Sequence, residues 1–562
     1  PLFQNVVFES NKTKSSSDNA YISAGAIYAG RSTPFFRDVT FKYNFAAYRG
    51  GAITVEGADT NKTITFERTK FIGNYLDPPN EMDLRGGAVY LQNGGKVIFE
   101  NSTFDSNYIK INGNCCTNEG GAIYAANFYD SLIVKNTKFR YNKVYKPDGN
   151  NGGEAEGGAM NISNINAHVE ITNSLFLGNS AEAGYRNWDG GGGDQQAQGG
   201  AIRISLQSLS DGNTSTYPYK SIFINNTFVD NKAIGSGTNS GYGGALNFLG
   251  NASTVLVNNI FWGNTGNNFG SDTTRNEIAN LFDYSNSQIL AGHNNFKYSA
   301  TESRANAYGS DNISRDPRFL LDGSADQYKL SDASFLIGAG TKTYDAYTAP
   351  KKDILGEDRP WGSSTSQPDM GAYENSLGKT TYPAKVKSLT ATAANQSVIL
   401  AWTANSETNI AKYAVYQSKT SPFTPAKTDS IGETTTASFT STGLQNGIAY
   451  HFKVKAINTS NQSGEYSDQA SATPGYEGAG GWYVATADKG GGATNEGSKS
   501  APFLYLLDAV TASSSGDTIY IGEGTHTYTS SSKWNISFDG SKMLVIKGEG
   551  TDKTFLDAQQ KH

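Results

Sequence analysis

Oxygen-bearing side chains alternate with glycine in one short stretch, the pattern in this chain most suited to holding a hard cation. Residues 148–156 are Asp-Gly-Asn-Asn-Gly-Gly-Glu-Ala-Glu, so that Asp148, Asn150 and Glu154 offer carboxylate and amide oxygens. Such oxygens are the ligands that Ca²⁺ prefers in proteins. The stretch lacks the complete pattern of a calcium-binding loop and favours a solvated surface loop. A structural Ca²⁺ at these three residues stays open as the alternative, and no other cofactor is expected.

Residues for catalysis are not grouped anywhere in the sequence. A polysaccharide lyase needs a Ca²⁺-binding carboxylate cluster with an Arg or Lys base, and a glycoside hydrolase needs paired carboxylates. Neither set has a visible local signature, and no nucleophile elbow or metalloprotease motif occurs. The histidines lie far apart along the chain, at His168, His293, His451, His526 and His562. We therefore predict no catalytic residue, no cofactor-binding residue and no enzymatic activity.

Composition points to strands and excludes two classes of partner. The 562 residues include 63 Gly, 32 Tyr and 28 Phe but only 4 Met, a balance that favours strands and tight turns over helices. The net charge of −6 offers phosphates no basic track, so nucleic-acid binding is not expected. No run approaches the ~18 apolar residues of a membrane span.

The only cysteines, Cys115 and Cys116, are adjacent; they are expected to be free thiols or a vicinal disulfide.

Two motifs alternate along the first half of the chain. Phe-x-x-Asn occurs eight times, at Phe8, Phe41, Phe71, Phe104, Phe139, Phe176, Phe228 and Phe261, with its asparagines at Asn11, Asn44, Asn74, Asn107, Asn142, Asn179, Asn231 and Asn264. Gly-Gly-Ala followed by an apolar residue occurs six times, beginning at Gly50, Gly86, Gly120, Gly157, Gly199 and Gly243. Most copies recur after about 30 to 37 residues. Such repeats form stacked units rather than a single globular core.

The elements that carry the repeat are short strands. Alternating segments such as Lys96-Val-Ile-Phe-Glu precede each motif Phe and show no helical period. A coil of such strands cannot bury its own apolar face, so successive coils must stack. The motif Phe residues are predicted to form an interior ladder, and the motif Asn residues a polar one with a left-handed turn conformation. A second polar column lies three residues before each Phe: Asn5, Asp38, Arg68, Asn101, Asn136, Asn173, Asn225 and Asn258.

The alternating motifs resemble the repeats of chlamydial polymorphic outer-membrane proteins and, more broadly, right-handed parallel β-helix proteins of the pectate-lyase-like class. Residues 315–375, which include Asp353-Ile-Leu-Gly-Glu-Asp-Arg-Pro and Pro368-Asp-Met-Gly-Ala-Tyr-Glu, resemble the closing segment of choice-of-anchor Q proteins. That resemblance implies a secreted surface protein of the Bacteroidota type. The physical role expected for the segment is an end cap over the last coil, with its Asp, Glu and Arg side chains paired rather than catalytic.

Two further domains follow. Residues 383–474 resemble a fibronectin type III domain, with seven short strands, Trp402 in the core and a corner tyrosine at Tyr450. After a linker at 475–481, residues 482–562 resemble the cap and first coils of a second β-helix, with a helix expected over 500–510. The predicted class is all-β, with coils at 1–300, a closing segment at 301–379, the sandwich and a second helix start.

The expected function is that of a non-catalytic extracellular structural or adhesive protein. The order of modules, with coils that begin abruptly at Pro1 and a second β-helix that stops at His562, suggests one segment of a longer secreted or cell-surface fibre. Expected partners are other copies or neighbouring modules, with surface glycans as a further possibility. The alternative is a polysaccharide lyase, a hydrolase or a glycan-binding β-helix. Paired acids with a base on the outer face favour that alternative, and polar ladders favour the structural role.

Overall fold

The computed structural model divides into two compact units, Pro1–Thr381 and Tyr382–His562. It describes residues 1–13, 23–59, 61–78, 83–110, 117–146, 153–165, 167–184, 195–206, 209–211, 214–216, 219–236, 240–249, 253–267, 276–281, 288–360, 366–377, 382–394, 396–445, 447–474, 481–514, 516–527, 542 and 544–557.

Five parallel sheets, numbered 1 to 5 in the order in which each coil visits them, make up most of the first unit. Sheet 1 precedes the motif Phe and consists of Leu2–Gln4, Phe35–Arg37, Thr63–Glu67, Lys96–Glu100, Ser131–Lys135, His168–Thr172, Ser221–Ile224, Ser253–Val257 and Gln288–Gly292. Sheet 2 carries the motif Phe and consists of Val7–Glu9, Thr40–Lys42, Lys70–Ile72, Thr103–Asp105, Lys138–Arg140, Leu175–Leu177, Thr227–Val229, Ile260–Trp262 and Asn295–Phe296.

The other three sheets complete each coil. Sheet 3 follows the motif Asn and consists of Phe45–Ala46, Tyr75–Leu76, Tyr108–Lys110, Lys143–Lys146, Ser180–Ala183, Lys232–Ile234 and Thr265–Gly266. Sheet 4 precedes Gly-Gly-Ala and consists of Leu84–Arg85, Asn118–Glu119, Ala155–Glu156, Ala197–Gln198 and Gly241–Tyr242. Sheet 5 follows it and consists of Ile27–Gly30, Ile53–Glu56, Val89–Gln92, Ile123–Ala126, Met160–Ile165, Ile202–Leu206, Leu246–Phe248 and Ile278–Ala279.

Equivalent positions of successive coils lie beside one another, as the repeat requires. Phe104 pairs with Phe139, and Phe139 pairs with Phe176. The predicted all-β class with stacked parallel coils is therefore confirmed. Side chains from sheets 1, 2 and 5 meet in one continuous apolar core that runs the length of the stack. Leu209–Asp211 and Thr214–Thr216 form an antiparallel hairpin between the strands Ile202–Leu206 and Ser221–Ile224.

The Gly-Gly pair marks the tight corner between sheets 4 and 5. The first glycine has a positive φ in all six copies, between 59° and 76°, which favours glycine. The second glycine packs against backbone: a Cβ atom at Gly121 would overlap the carbonyl oxygen of Gly158 and lie 2.7 Å from the carbonyl carbon of Lys143. Both neighbours are main-chain atoms and cannot rotate away. Glycine is thus required at both positions, for different reasons.

Replacing Gly121 by alanine is expected to lower the free energy of unfolding by about 2–3 kcal/mol, because the added methyl group forces two coils apart. Urea denaturation measures the change. Gly522→Ala is the matched control, since a Cβ atom there meets only the Val484 carbonyl oxygen at 3.4 Å. Equal urea midpoints for the two variants would contradict the close approach at Gly121.

A short helix, α1, covers the end of the stack. It spans Ser299–Asn306 and buries Thr301 and Ala305. Ala305 joins the continuous core, and the carboxylate of fully buried Glu277 accepts the backbone N–H of Lys297 at 3.1 Å, just before the helix. Burial raises the pKa of Glu277 well above its usual range, so the group that accepts this N–H next to the helix start favours its neutral form. α1, which lies mostly within the closing segment expected at 301–379, is thus one part of the cap over the last coil.

The segment after α1 first pairs with the last coil, where Asn295 bridges Ile313 and the Asn294 N–H donates to Asn312 Oδ1 at 3.1 Å, and then runs along the side of the stack. The closing segment expected at 301–379 thus covers the last coil only at its beginning. Its contacts reach from Lys138, whose Nζ lies 2.7 Å from Asp326, to Asn258, whose Nδ2 donates to the Thr341 carbonyl at 2.8 Å. The segment contains the small antiparallel pair Thr343–Tyr344 and Tyr347–Thr348. Its apolar side chains, including Tyr373, pack on sheet 2 residues such as Leu175 and Val229.

The second unit begins with a β-sandwich of seven strands. One sheet contains Lys387–Ala394, Ser397–Thr403 and Ser438–Thr442, and the other contains Ser430–Thr434, Ile410–Ser418, Tyr450–Asn458 and Ala470–Ala472; a 3-10 turn lies at Lys427–Asp429. Trp402 packs edge-on against Tyr413 in the core, with ring centroids 5.3 Å apart. The Tyr450 hydroxyl accepts the Gln445 N–H at 3.1 Å, as expected of a corner tyrosine.

Parallel strands return in the C-terminal module. Trp482–Val484, Thr518–Ile521 and Val545–Gly548 form one sheet, Gly524–Thr527 pairs with Thr554–Asp557, and a 3-10 turn lies at Ala487–Lys489. The helix expected over 500–510 is instead α2, Leu506–Ala512. It begins later because Phe503 forms backbone bridges to Val484 and Gly492, which hold the preceding residues extended. Among the described residues, no helix is long and apolar enough to span a membrane.

Candidate functional site

The eight motif phenylalanines stack face to face in the interior. Successive ring centroids from Phe8 to Phe261 are 4.6 to 5.1 Å apart, with interplanar angles of 2° to 8°. Phe296, which lacks the motif Asn, adds a ninth ring 5.3 Å from Phe261. All rings from Phe41 onward are fully buried. A second stack, of Phe3, Phe36, Phe66 and Phe99, meets the first edge-on, for example at 5.4 Å between Phe99 and Phe104.

The motif asparagines form a second ladder in which each amide makes the same bonds. Asn107 Nδ2 donates to the Phe71 carbonyl at 3.0 Å and to Asn142 Oδ1 at 2.9 Å. Its own Oδ1 accepts the backbone N–H and the Nδ2 of Asn74, at 2.9 and 3.0 Å. The side chains from Asn44 to Asn264 are fully buried. A buried amide with its donors and acceptors paired avoids the cost of an unsatisfied polar group.

The prediction that the motif asparagines adopt a left-handed turn conformation was wrong. Those residues have no positive φ. The residue just before each of them has one, for example Tyr43 and Tyr141 at 55°. All eight members of the column three residues before each Phe have φ between 47° and 57° as well. The motif Asn points inward from an ordinary conformation, and the bends on either side of sheet 2 supply the turns.

From Phe71 onward, a further polar ladder lies two residues before each Phe, and no sequence motif had marked it. It comprises Thr69, Ser102, Thr137, Ser174, Asn226, Asn259 and Asn294, and it ends on Asn312 after α1. In its second half, Asn226 Nδ2 donates to Asn259 Oδ1 at 3.0 Å. The residue type changes from hydroxyl to amide along the stack, so no single motif letter marks it. The common signal was a small polar residue at constant spacing from Phe.

The predicted polar column three residues before each Phe holds the segment that follows α1. Asn173 Nδ2 donates to the Lys352 carbonyl, and Asn225 Nδ2 donates to the carbonyls of Asp369 and Gly371 at 3.0 and 3.2 Å. Earlier members bond to each other instead, as in the two contacts of 2.7 and 3.0 Å between Arg68 and Asp38. In its second half, the column therefore holds the segment that follows α1 against the stack.

A buried ion pair fixes that segment. Arg359 Nη1 lies 3.2 Å from Glu374 Oε2 and donates to the Asp369 carbonyl at 3.0 Å, while Nη2 donates to the Gly371 carbonyl at 3.1 Å. The carboxylates of Asp369 and Asp353 accept backbone N–H groups of the same segment. Burial and the neighbouring Glu374 raise the pKa of Asp369 well above its usual range. These acids are bound within the segment itself, in agreement with the expected pairing of its Asp, Glu and Arg side chains.

Titratable residues also meet in a polar seam between sheets 4 and 5. We define the seam as Arg49, Arg85, Glu119 and Glu156 on one side, and Tyr90, Tyr124, Asn161 and Arg203 on the other. Residues of the first side contact residues of the second side in the following coil. The Arg49 guanidinium lies 4.8 Å from the Tyr90 ring centroid, and Glu156 lies 3.2 Å from Arg203 Nη1. No sequence motif marks this set, because its members differ in type from coil to coil.

Two carboxylates lie side by side at the centre of the seam. Glu119 and Glu156 occupy paired positions of sheet 4, and Asn161 Nδ2 donates to both, at 3.4 and 2.8 Å. Burial, with Glu119 and Glu154 nearby, raises the pKa of Glu156 to about 8 and outweighs the opposing effect of Arg203. Burial likewise raises the pKa of Glu119 despite its ion pair with Arg85. Both residues are less than a tenth exposed.

The stability of the first unit is expected to fall between about pH 5 and pH 8. The pKa of Glu156 is about 8 in the folded chain and near 4.5 when exposed, so across this window the unfolded chain loses a proton that the folded chain keeps. The expected loss attributable to Glu156 is about 1–3 kcal/mol. Urea denaturation at several pH values measures it, and Glu156→Gln is expected to flatten the slope.

Glu9→Gln is the control for this experiment, because Glu9 forms only an exposed ion pair with Lys42. The slope in that variant is expected to match the parent chain. An unchanged slope in Glu156→Gln would show that Glu156 does not hold its proton in the folded state.

Of the three proposed calcium ligands, Glu154 lies among the described residues. Asp148 and Asn150 lie outside the described residues, as do Cys115 and Cys116. Glu154 is half-buried next to sheet 4, where it shares a hydrogen bond with Glu156. Of the histidines in the described part of the chain, His168 and His293 lie on sheet 1 or just after it, and His451 and His526 lie in the second unit. Within the first unit, His168 and His293 belong to different coils.

Comparison with known proteins identifies the sandwich. Residues 384–473 match the fibronectin type III domain family. A Fn3-like protein from Clostridium thermocellum is 24% identical over 16% of this chain and 92% of its own, with a TM-score of 0.14. A beta-1,2-glucanase from Parabacteroides distasonis is 20% identical over 17% of this chain and 14% of its own, with the same TM-score.

The sixth fibronectin type III domain of human fibronectin type III domain containing protein 3 is 15% identical, over 17% of this chain and 88% of its own, with a TM-score of 0.15. No curated protein matches the chain. The sandwich at residues 384–473 is a fibronectin type III domain, carried by a chain whose first unit is a stack of parallel β-sheets.

Proposed function

We propose that this chain is a non-catalytic structural or adhesive segment of a longer, modular fibre that is secreted or displayed on a cell surface. The observation that carries the proposal is the pair of unbroken ladders, in which Phe and Asn repeat in register through the stack. Each coil supports its neighbours through identical contacts, which suits a rod under load. The fibronectin type III domain between two parallel modules supports a modular structural or adhesive role.

Location and size of the native polypeptide test this proposal. Intact cells of the source organism are treated with a protease, and the released fragments are identified by mass spectrometry. We expect fragments of this chain to be released without lysis, from a polypeptide much larger than this segment. Recovery of the protein only from lysed cells would refute the surface location. Recovery of a compact monomer of this length would refute the fibre.

A second candidate, a polysaccharide lyase or hydrolase, is favoured by one observation. Glu119 and Glu156 both contact the Asn161 amide and lie beside Arg203, so paired acids and a cation do meet on the outer side of the coil. Their burial argues against access by a polymer. Incubation with polygalacturonate and alginate in the presence of Ca²⁺ decides the matter: we expect no product. Product release that Glu156→Gln abolishes would establish the enzyme instead.

A further inference from the structure

The segment between α1 and the sandwich connects the stack to the second unit. We call residues 316–360 and 366–377 the strap; the chain leaves it at Leu377 and enters the second unit at Tyr382. Among the described residues, the strap adds no strand to the five sheets of the coils. Tension along the chain between the stack and the sandwich must therefore pass through the contacts that hold the strap to the coils.

Separate hydrogen bonds hold the last part of the strap to the stack. The Gly371 N–H donates to the Asn258 carbonyl at 2.7 Å, and the Ala372 N–H donates to Thr227 Oγ1 at 2.9 Å. The Asn225 amide donates to two carbonyls of the same stretch, at 3.0 and 3.2 Å. All of these bonds lie close to the end of the strap, where tension from the sandwich enters.

Neighbouring coils are joined in a different way. Their strands pair by continuous backbone ladders, as Lys96–Glu100 does with Thr63–Glu67 on one side and with Ser131–Lys135 on the other. Bonds of a ladder share a force between them, whereas the separate bonds of the strap can break one after another. The free energy of opening differs between parts of a protein in this manner. The strap is therefore expected to open at a lower tension than the coils.

An apolar face lies under the strap and supplies a force for its return. Leu175 and Leu177, on the outside of sheet 2, pack against strap residues such as Tyr373. Two coils earlier, the equivalent positions are Thr103 and Asp105. Opening the strap exposes the leucines to water, and the free-energy cost of that exposure favours closure when the tension ends.

We propose that the strap is a reversible extension element, which opens under tension before any coil does and closes again when the tension is released. This inference rests on the proposed structural role, because a segment of a fibre carries tension along its chain. Opening frees about 60 residues, which at about 3.3–3.6 Å each lengthen the chain by about 200 Å. The coils stay folded while the strap takes up this length.

Stretching of the whole chain with optical tweezers tests the proposal. The handles are attached at Tyr129→Cys, an exposed position of the stack, and at Lys387→Cys on the first strand of the sandwich, with Cys115 and Cys116 replaced by serine. The force path then contains the strap and the coils, but neither the rest of the sandwich nor the C-terminal module. We expect a first opening that lengthens the tether by about 200 Å in total and recurs in repeated pulls.

Two positions of the same asparagine column give matched variants. Asn225→Ala removes the amide that bonds to the strap, whereas Asn101→Ala removes an amide whose Oδ1 accepts a hydrogen bond from Asn136 within the coils. Asn225 and Asn101 have φ values of 54° and 52°, so alanine meets the same backbone strain at both. We expect Asn225→Ala to lower the force of the first opening and Asn101→Ala to leave it unchanged.

Three results would overturn the proposal. The first is an initial lengthening that clearly differs from about 200 Å, which would show that the strap does not open as the first element. The second is an opening that fails to recur after the tension is released. The third is an equal change of opening force in the two variants. None of these measurements depends on where the native polypeptide is located, so a failure of the strap and a failure of the surface fibre are separate outcomes.

Discussion

Replacing Phe139 by alanine is expected to lower the free energy of unfolding by about 3–5 kcal/mol, the range for a fully buried aromatic side chain. Its ring lies between those of Phe104 and Phe176, with centroids 4.8 and 4.7 Å away, so that the substitution removes both contacts and leaves a cavity in the middle of the stack. Urea denaturation of the whole chain measures the loss.

The location of the damage distinguishes a solenoid from a single cooperative core. In a stack, each coil contacts only its neighbours, so hydrogen exchange is expected to rise in the coils of Phe104, Phe139 and Phe176 and to stay unchanged in the fibronectin type III domain. Tyr129→Ala is the control, since this exposed tyrosine belongs to the same coil. Exchange that rises uniformly over the first unit would contradict coil-by-coil stability.

Arg359→Met is expected to destabilise the first unit by about 3–5 kcal/mol, because it leaves the buried Glu374 carboxylate without its cation. The Arg359 side chain is fully buried, and its guanidinium also bonds two carbonyls of the segment that follows α1. That segment is then expected to detach from the asparagine column. Hydrogen exchange of residues 338–375 detects the detachment, and urea denaturation measures the loss of stability.

Two further variants give this experiment its controls. Arg359→Met/Glu374→Gln removes both charges and is expected to recover part of the lost stability, because no uncompensated carboxylate remains. Arg31→Met changes an exposed arginine and is expected to have an effect within about 0.5 kcal/mol. If Arg359→Met were no more destabilising than Arg31→Met, the ion pair would not fix the segment.

The ladders and the seam differ in what they contribute to the stack. Each Phe or Asn of a ladder meets an identical residue in the next coil, so ladders stabilise any alignment of coils. The seam also contains pairs of unlike residues, as in Arg85 with Tyr124 and Glu156 with Arg203, and each of these contacts is specific to the two coils that make it. In some proteins, buried polar groups select one register among several.

The amino-acid sequence by itself determined the stacked parallel coils, their register and the sandwich. It did so because an eightfold repeat of Phe-x-x-Asn demands equivalent positions, and because the contacts that follow, such as Phe104 on Phe139, join residues that the repeat already aligns. In the sandwich, the positions of the core residue Trp402 and the corner residue Tyr450 along the sequence were enough to predict the fibronectin type III domain.

The tertiary structure alone decided where the non-repeating residues meet. Arg359 and Glu374 hold a segment that folds back along the stack, and no period in the sequence links that segment to Asn173 or Asn225. Glu119 and Glu156 become neighbours only when their coils stack, and their raised pKa values follow from burial that the sequence does not record. Repeats reveal contacts between like residues, whereas contacts between unlike residues depend on the path of the folded chain.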